Sequence, residues 1–141
     1  MLERFHVSDE EAIRINHKKM HSKSFATKTI LMGEDLSSKE QFKELLLDIF
    51  KKDKKEILKT VTDSNLSGRG GAGFPTGMKW NFCSQQKVEK KYVVCNADEG
   101  DSGAFSDRYI LEEQPLKVIF GMLVCAYIIG SNEGVLYIRG E

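Results

Sequence analysis

The chain has 141 residues, with 21 lysines and arginines balanced by 21 aspartates and glutamates. That length suits one domain with one core, and 40% hydrophobic with 30% charged residues is the balance of an ordinary globular protein. A formal charge of zero removes the electrostatic case for nucleic acid or an anionic membrane as partner.

Residues 1–36 are polar and weakly periodic, and no structure is assigned to most of them. Their start, MLERFHVSDEEAIRINHKKM, carries acids and no apolar core. It therefore has the marks of neither a signal peptide nor a typical transit peptide, and the default compartment is the cytosol. His6, His17 and His21 are dispersed, with no thiol or carboxylate cluster at ligand spacing, so no metal site is expected. Cys83, Cys95 and Cys125 form no CxxC pair and fit reduced, structural thiols.

Order improves at Ser37. SSKE has the pattern of a capping box with Ser37 as cap and Glu40 reaching back. Phe42, Leu45, Leu46, Ile49 and Phe50 follow at helical spacing. DKKE repeats the device with Asp53 and Glu56 ahead of Ile57, Leu58 and Val61. Two short amphipathic helices are predicted, joined by a solvated KKDKK run.

Next comes GRGGAGFPTGMKW (68–80), five glycines in ten positions. Gly68, Gly70 and Gly73 give a GxGxxG-like spacing, but a helical segment precedes it where the dinucleotide fingerprint needs a strand. The loop's physics survives that failed motif. Glycines admit positive φ and close approach of a ligand, and successive amides can form an anion-binding nest. Arg69 and Lys79 suit phosphate, while Phe74 and Trp80 offer flat faces to a ring system. The plain alternative is a structural turn; charge and aromatics inside it favour a phosphate-bearing, aromatic ligand.

KYVVC (91–95) reads as a buried strand, and SDRYILEEQ as a helix capped by Ser106. Pro115 opens a second helix, LKVIFGMLVCAYII, apolar nearly all round and closed by Gly130. Its uninterrupted apolar run, Val118 to Ile129, is far short of the roughly 20 residues a membrane span needs, so a central, fully covered core helix is expected. Val135 to Ile138 form the next strand. Strand, crossover and strand make a parallel βαβ unit, which puts NADEGD (96–101) and RGE (139–141) past the carboxyl ends of their strands on one sheet edge. Ligands of open α/β sheets bind at that edge.

GRGGAGFPTGMKW, VVCNADEGDSGAFSDRYILE and YIRGE, in that order, resemble the flavin-carrying, NADH-oxidising subunit of respiratory complex I and of related NAD-linked hydrogenases and formate dehydrogenases. The resemblance is strong over 64–141. It implies an α/β fold, a partial Rossmann-like FMN-binding domain over 37–141 with its βαβ unit preceded by the short helices. It also implies FMN and NAD(H) as cofactors. Gly68, Arg69, Gly70, Gly71, Gly73 and Lys79 then belong to the flavin and its phosphate side, and Phe74 stacks on NADH. Asn96, Asp98 and Glu99 match residues at the isoalloxazine edge, with Glu99 bordering the nicotinamide; Gly140 and Glu141 begin the next flavin-contacting segment.

In such proteins NADH gives a hydride to the flavin, which releases single electrons to an iron–sulfur centre; direct transfer between stacked rings needs no general base. Three departures stand out. Ser67 replaces the usual arginine, Ser102 the frequent proline, and Leu116 the frequent histidine.

Family members continue past RGE into a ubiquitin-like domain and a helical domain with the cysteines of a [4Fe–4S] cluster, which this chain lacks. The resemblance therefore implies an N-terminal piece of such a subunit. Its partners would be NADH, the C-terminal remainder and iron–sulfur subunits, with membrane association only through a larger complex. The competing expectation is a non-catalytic remnant or an assembly module.

Overall fold

A computed structural model of the chain describes Leu36 and residues 38–139; Ser37, Gly140, Glu141 and the polar N-terminal segment lie outside the described residues. Helix α1 (Lys39–Lys51) begins one residue later than the SSKE pattern suggests. Ser38 is its cap, accepting from the Gln41 amide at 3.3 Å while donating to Glu40 at 3.0 Å. Helix α2 (Lys54–Asp63) is capped by Asp53, as predicted, through the Lys55 amide at 2.7 Å. It ends through Ser64 and Asn65, the latter at φ 55°, a position asparagine tolerates after a helix.

Helix α3 (Thr76–Gln85) is an element that the sequence pattern does not predict. Lys79 and Trp80, read as parts of a loop, stand on it. Its close seat against α2 depends on Gly77, where a Cβ would lie 2.3 Å from Thr62 Oγ1 and 2.9 Å from Thr62 Cα. Glycine here is a packing requirement.

Strand β1 (Tyr92–Ala97) is followed by α4 (Ser106–Glu113), α5 (Pro115–Ile129) and β2 (Glu133–Ile138). The strands pair in parallel, Tyr92 opposite Glu133 through Ala97 opposite Ile138. The predicted βαβ unit is thus present, with both strands ending level, but β1 is buried only at Val93 and Ala97, so the expectation of a buried strand is corrected. Pro115 starts α5, and Gly130 ends it at φ 75° while the Gly130 and Ser131 amides both return to Ala126 O.

The core gathers Ile57, Val93, Val124, Ile128 and Ile129, with Trp80, Phe120 and Tyr127 packed around it. Only Val124, Ile128 and Ile129 of α5 are buried, and Ile119 is 38% exposed. The expectation of a fully covered helix is therefore corrected: the described elements cover α5 only in part. Helix α1 docks on it through Phe42 against Phe120, edge to face at 6.3 Å, and Phe50 against Tyr127 at 5.0 Å. The Tyr127 hydroxyl lies 3.3 Å from both Phe50 O and Lys52 O at the end of α1.

At the amino end of the sheet, Lys91 Nζ donates to Ser84 O and Ile129 O, both at 2.9 Å. One ammonium thus serves the carboxyl ends of α3 and α5, where helix dipoles favour positive charge. Ser131, buried, donates to Lys91 O at 2.6 Å and ties the turn into β2 to the start of β1. This end is locked. The opposite end carries the loops.

Candidate functional site

The glycine stretch closes on itself. Gly68 N donates to Phe74 O and Thr76 N to Leu66 O, both at 2.8 Å, around an antiparallel bridge between Ser67 and Pro75. Gly71 (φ 103°) and Gly73 (φ 61°) take left-handed conformations that build the turn, and a Cβ on either would meet nothing within 4 Å. The loop is therefore glycine-rich for its backbone and leaves open space on its outer side. Phe74 stands 40% exposed. Among the described residues no hydrogen bond or ion pair engages the side chains of Arg69 or Lys79. Pro75 precedes α3 and no side chain caps that helix. An uncapped helix start after a glycine turn that carries an unengaged arginine offers amides and a cation to an anion.

The second part of the site lies at the carboxyl ends of the strands. Asn96 Oδ1 accepts from the Asp98 amide at 3.0 Å, an Asx turn that swings the chain off β1. Glu99 then turns back. Its Oε1 accepts from Ser106 N at 2.8 Å and Ser106 Oγ at 2.7 Å, and its Oε2 from Asp107 N at 3.1 Å and Arg108 N at 3.4 Å. Ser106, expected to cap α4, is instead its first residue; Phe105 holds the cap position, and the Glu99 carboxylate takes the amides a capping side chain would. Burial pushes the Glu99 carboxyl up, but the hydrogen bonds from Ser106, Arg108 and Asp107 outweigh it and hold it below the usual range. Burial, with a contribution from the Asp107 carboxylate, pushes the Cys95 thiol up.

A cavity of about 450 Å³ opens here, lined among others by Ala97, Glu99, Phe105, Arg108, Ile138 and Arg139. Arg139, at the end of β2, brings Nη1 to 3.5 Å from where a Cβ on Gly100 would stand. The two strand-end loops therefore do face one crevice. Arg139 was not among the residues expected at the site, although its place just past the strand was the available signal. Arg108 pairs with Glu112 at 2.8 Å on α4. No hydrogen bond among the described residues joins the glycine loop to the 96–101 loop. Gly140 and Glu141 lie outside the described residues, and no group of three or more potential metal ligands occurs among those described.

Residues 61–141, more than half of the chain, match the family model of the Nuo51 FMN-binding domain. The chain belongs to that family. It is 52% identical over 86 residues to the alpha subunit of the NAD-reducing hydrogenase HoxS of Cupriavidus necator, covering 61% of this chain and 14% of that one. It is 55% identical over 86 residues to an NADH-quinone oxidoreductase subunit of Rhizobium meliloti, with 61% and 20% covered. The NADP-reducing hydrogenase subunit HndC of Solidesulfovibrio fructosivorans is 50% identical over 86 residues, with 61% and 17% covered.

The fold is similar to a crystal structure of NAD⁺-reducing [NiFe]-hydrogenase in the H₂-reduced state, at a TM-score of 0.61 and 32% identity, covering 94% of this chain and 25% of that one. The expected α/β fold of an FMN-binding domain is thus present. The chain spans about a seventh to a fifth of the length of these curated relatives.

The residues present fit a flavin nucleotide. The glycine turn is open on its Cβ side, the helix after it is uncapped, Arg69 and the exposed Phe74 belong to the turn, and Lys79 belongs to the first turn of that helix. No helix among the described residues is long and apolar enough to cross a membrane.

Proposed function

We propose that residues 64–141 supply the phosphate-holding and strand-end parts of an FMN and NADH site in an NADH:acceptor oxidoreductase. The observation that carries this reading is the self-closed glycine turn leading into the uncapped start of α3, with Arg69 unengaged beside it. Backbone amides and the Gly68–Gly73 turn would hold the flavin phosphate, with Arg69 as a bidentate donor and Lys79 as a point charge. Phe74 would stack on the incoming dinucleotide. Asn96, Asp98 and Glu99, together with Gly140 and Glu141, would border the ring edge. Bound FMN supplies the two-electron chemistry of hydride acceptance and the release of single electrons. This chain's residues bind, orient and set the local field.

The rest of the site, the iron–sulfur centre and the partner subunits would come from polypeptide outside the described residues. A second reading, a non-catalytic association module, is favoured by β2, whose six residues are all exposed. Arg69→Ala decides between them. In an assembly that retains FMN, the variant should lose at least tenfold in FMN affinity, read as flavin absorbance kept after desalting and its bleaching by NADH. Unchanged flavin stoichiometry would remove the phosphate assignment and leave the association module.

A further inference from the structure

Four hydrogen bonds converge on one side chain of the strand-end loop. Glu99 lies seven to nine residues before its partners, so these contacts close the segment 99–106 into a loop whose two ends are joined by a carboxylate. The backbone offers only one other described tie inside it, Ala104 N to Asp101 O at 3.0 Å, and Gly103 sits at φ 82°. Phe105, in the N-cap position, has no side-chain acceptor to give the helix. Without Glu99 the first amides of α4 would have no partner in the protein, and the loop would be joined to the helix by its chain alone.

We infer that Glu99 is a positioning residue, whose carboxylate caps α4 and thereby fixes the 98–105 loop at the carboxyl ends of β1 and β2. The assignment changes what the loop's acids can do. Both oxygens of Glu99 are occupied by α4, whereas among the described residues no hydrogen bond reaches the Asp98 carboxylate. Asp98, set by the Asn96 turn on one side and by the Glu99 anchor on the other, and Asp101, whose carboxylate likewise accepts no hydrogen bond among the described residues, are the acids of this loop left to meet a ligand. Glu99 then acts on the crevice through Asp98, Phe105 and Arg108. This rests on the crevice being the ligand site proposed above.

The test is amide hydrogen exchange on the full chain, with FMN titration beside it. Glu99→Ala should speed exchange at Ser106, Asp107 and Arg108 at least tenfold while α5 stays protected, which shows that the fold survives. Asp101→Asn, an equal change of charge in the same loop, should leave those amides unchanged. Phe105→Asp added to Glu99→Ala supplies a carboxylate from the ordinary cap position and should restore their protection.

Wild-type exchange rates in Glu99→Ala would overturn the proposal. So would the same rise in exchange at these amides in Asp101→Asn, because the charge of the loop and not the cap would then set their protection. If the wild-type chain binds no FMN, the ligand reading loses its support, and the exchange rates alone decide whether Glu99 fixes the loop.

Discussion

Gly77 is four residues past Gly73, the last glycine of the turn, yet it does a different job. Thr62 occupies the space that any larger side chain would need, with a backbone atom at 2.9 Å. Helix α2 or α3 must therefore shift in Gly77→Ala, an overpacking that should cost about 1–3 kcal/mol in urea unfolding. Gly70→Ala, with nothing within 4 Å, should change stability by well under 1 kcal/mol and serves as the control. Cys125 shows burial acting on chemistry at the same scale. Desolvation, with a smaller contribution from Cys83, raises its thiol to about 11 from 9.0. At pH 8 the thiolate fraction should be roughly a hundredth of that of an ordinary thiol, so iodoacetamide should label it about 100-fold more slowly. Mass spectrometry of the alkylated peptide measures this, and labelling at the rate of a free thiol would contradict the burial.

At the scale of elements, the helices differ in what holds their ends. Asp53 caps α2 from two residues before the Lys55 amide, a local device written in DKKE. Glu99 caps α4 from seven residues away, and no short motif announces it. Because the Glu99 carboxyl is held below 4.5, the folded state binds its proton less readily than the unfolded chain does. The stabilisation is therefore complete above the ordinary glutamate value and is lost as pH falls through the lowered one. Asp107, Arg108 and Glu112 share this end of α4. The Ser106 and Arg108 amide resonances should report a midpoint below 4.5 that disappears in Glu99→Gln. A midpoint at or above 4.5 would contradict the cap.

Helix α3 illustrates the opposite limit of legibility. Met78, Trp80, Phe82 and Cys83 are spread around it, so it has no apolar stripe, and glycine and proline crowd its start. It forms because Trp80 and Cys83 reach the core while Gly77 admits Thr62, which are contacts of the fold and absent from the local pattern.

Across the described residues, the dominant feature is a two-stranded sheet whose second strand is exposed along its length. Val135, Tyr137 and Ile138 are 47%, 56% and 54% exposed, and Val94 on β1 is 62% exposed. An apolar strand with free backbone groups invites another strand. The chain should therefore self-associate at micromolar concentration in light scattering after size exclusion, and Ile138→Glu should shift it toward monomer. A monomeric wild-type chain at 100 times that concentration, about 0.1 mM or more, would show that the edge is protected.

What the sequence determined by itself was everything encoded at short range or by topology. Pro115 and Gly130 bound α5, Asp53 caps α2, β-branched runs make the strands, and a long crossover between parallel strands puts residues 98–101 and Arg139 on one edge. The glycine turn and its charges were legible for the same reason, because backbone conformation there follows from residue type. Tertiary structure alone decided the rest: that α3 is a helix, that Lys91 serves two helix ends, that α5 is only partly covered, and that Glu99 is spent on α4 while no described hydrogen bond reaches Asp98. Each of these depends on atoms brought together from distant positions in the chain or across a loop, and such contacts leave no period or spacing in the sequence to read.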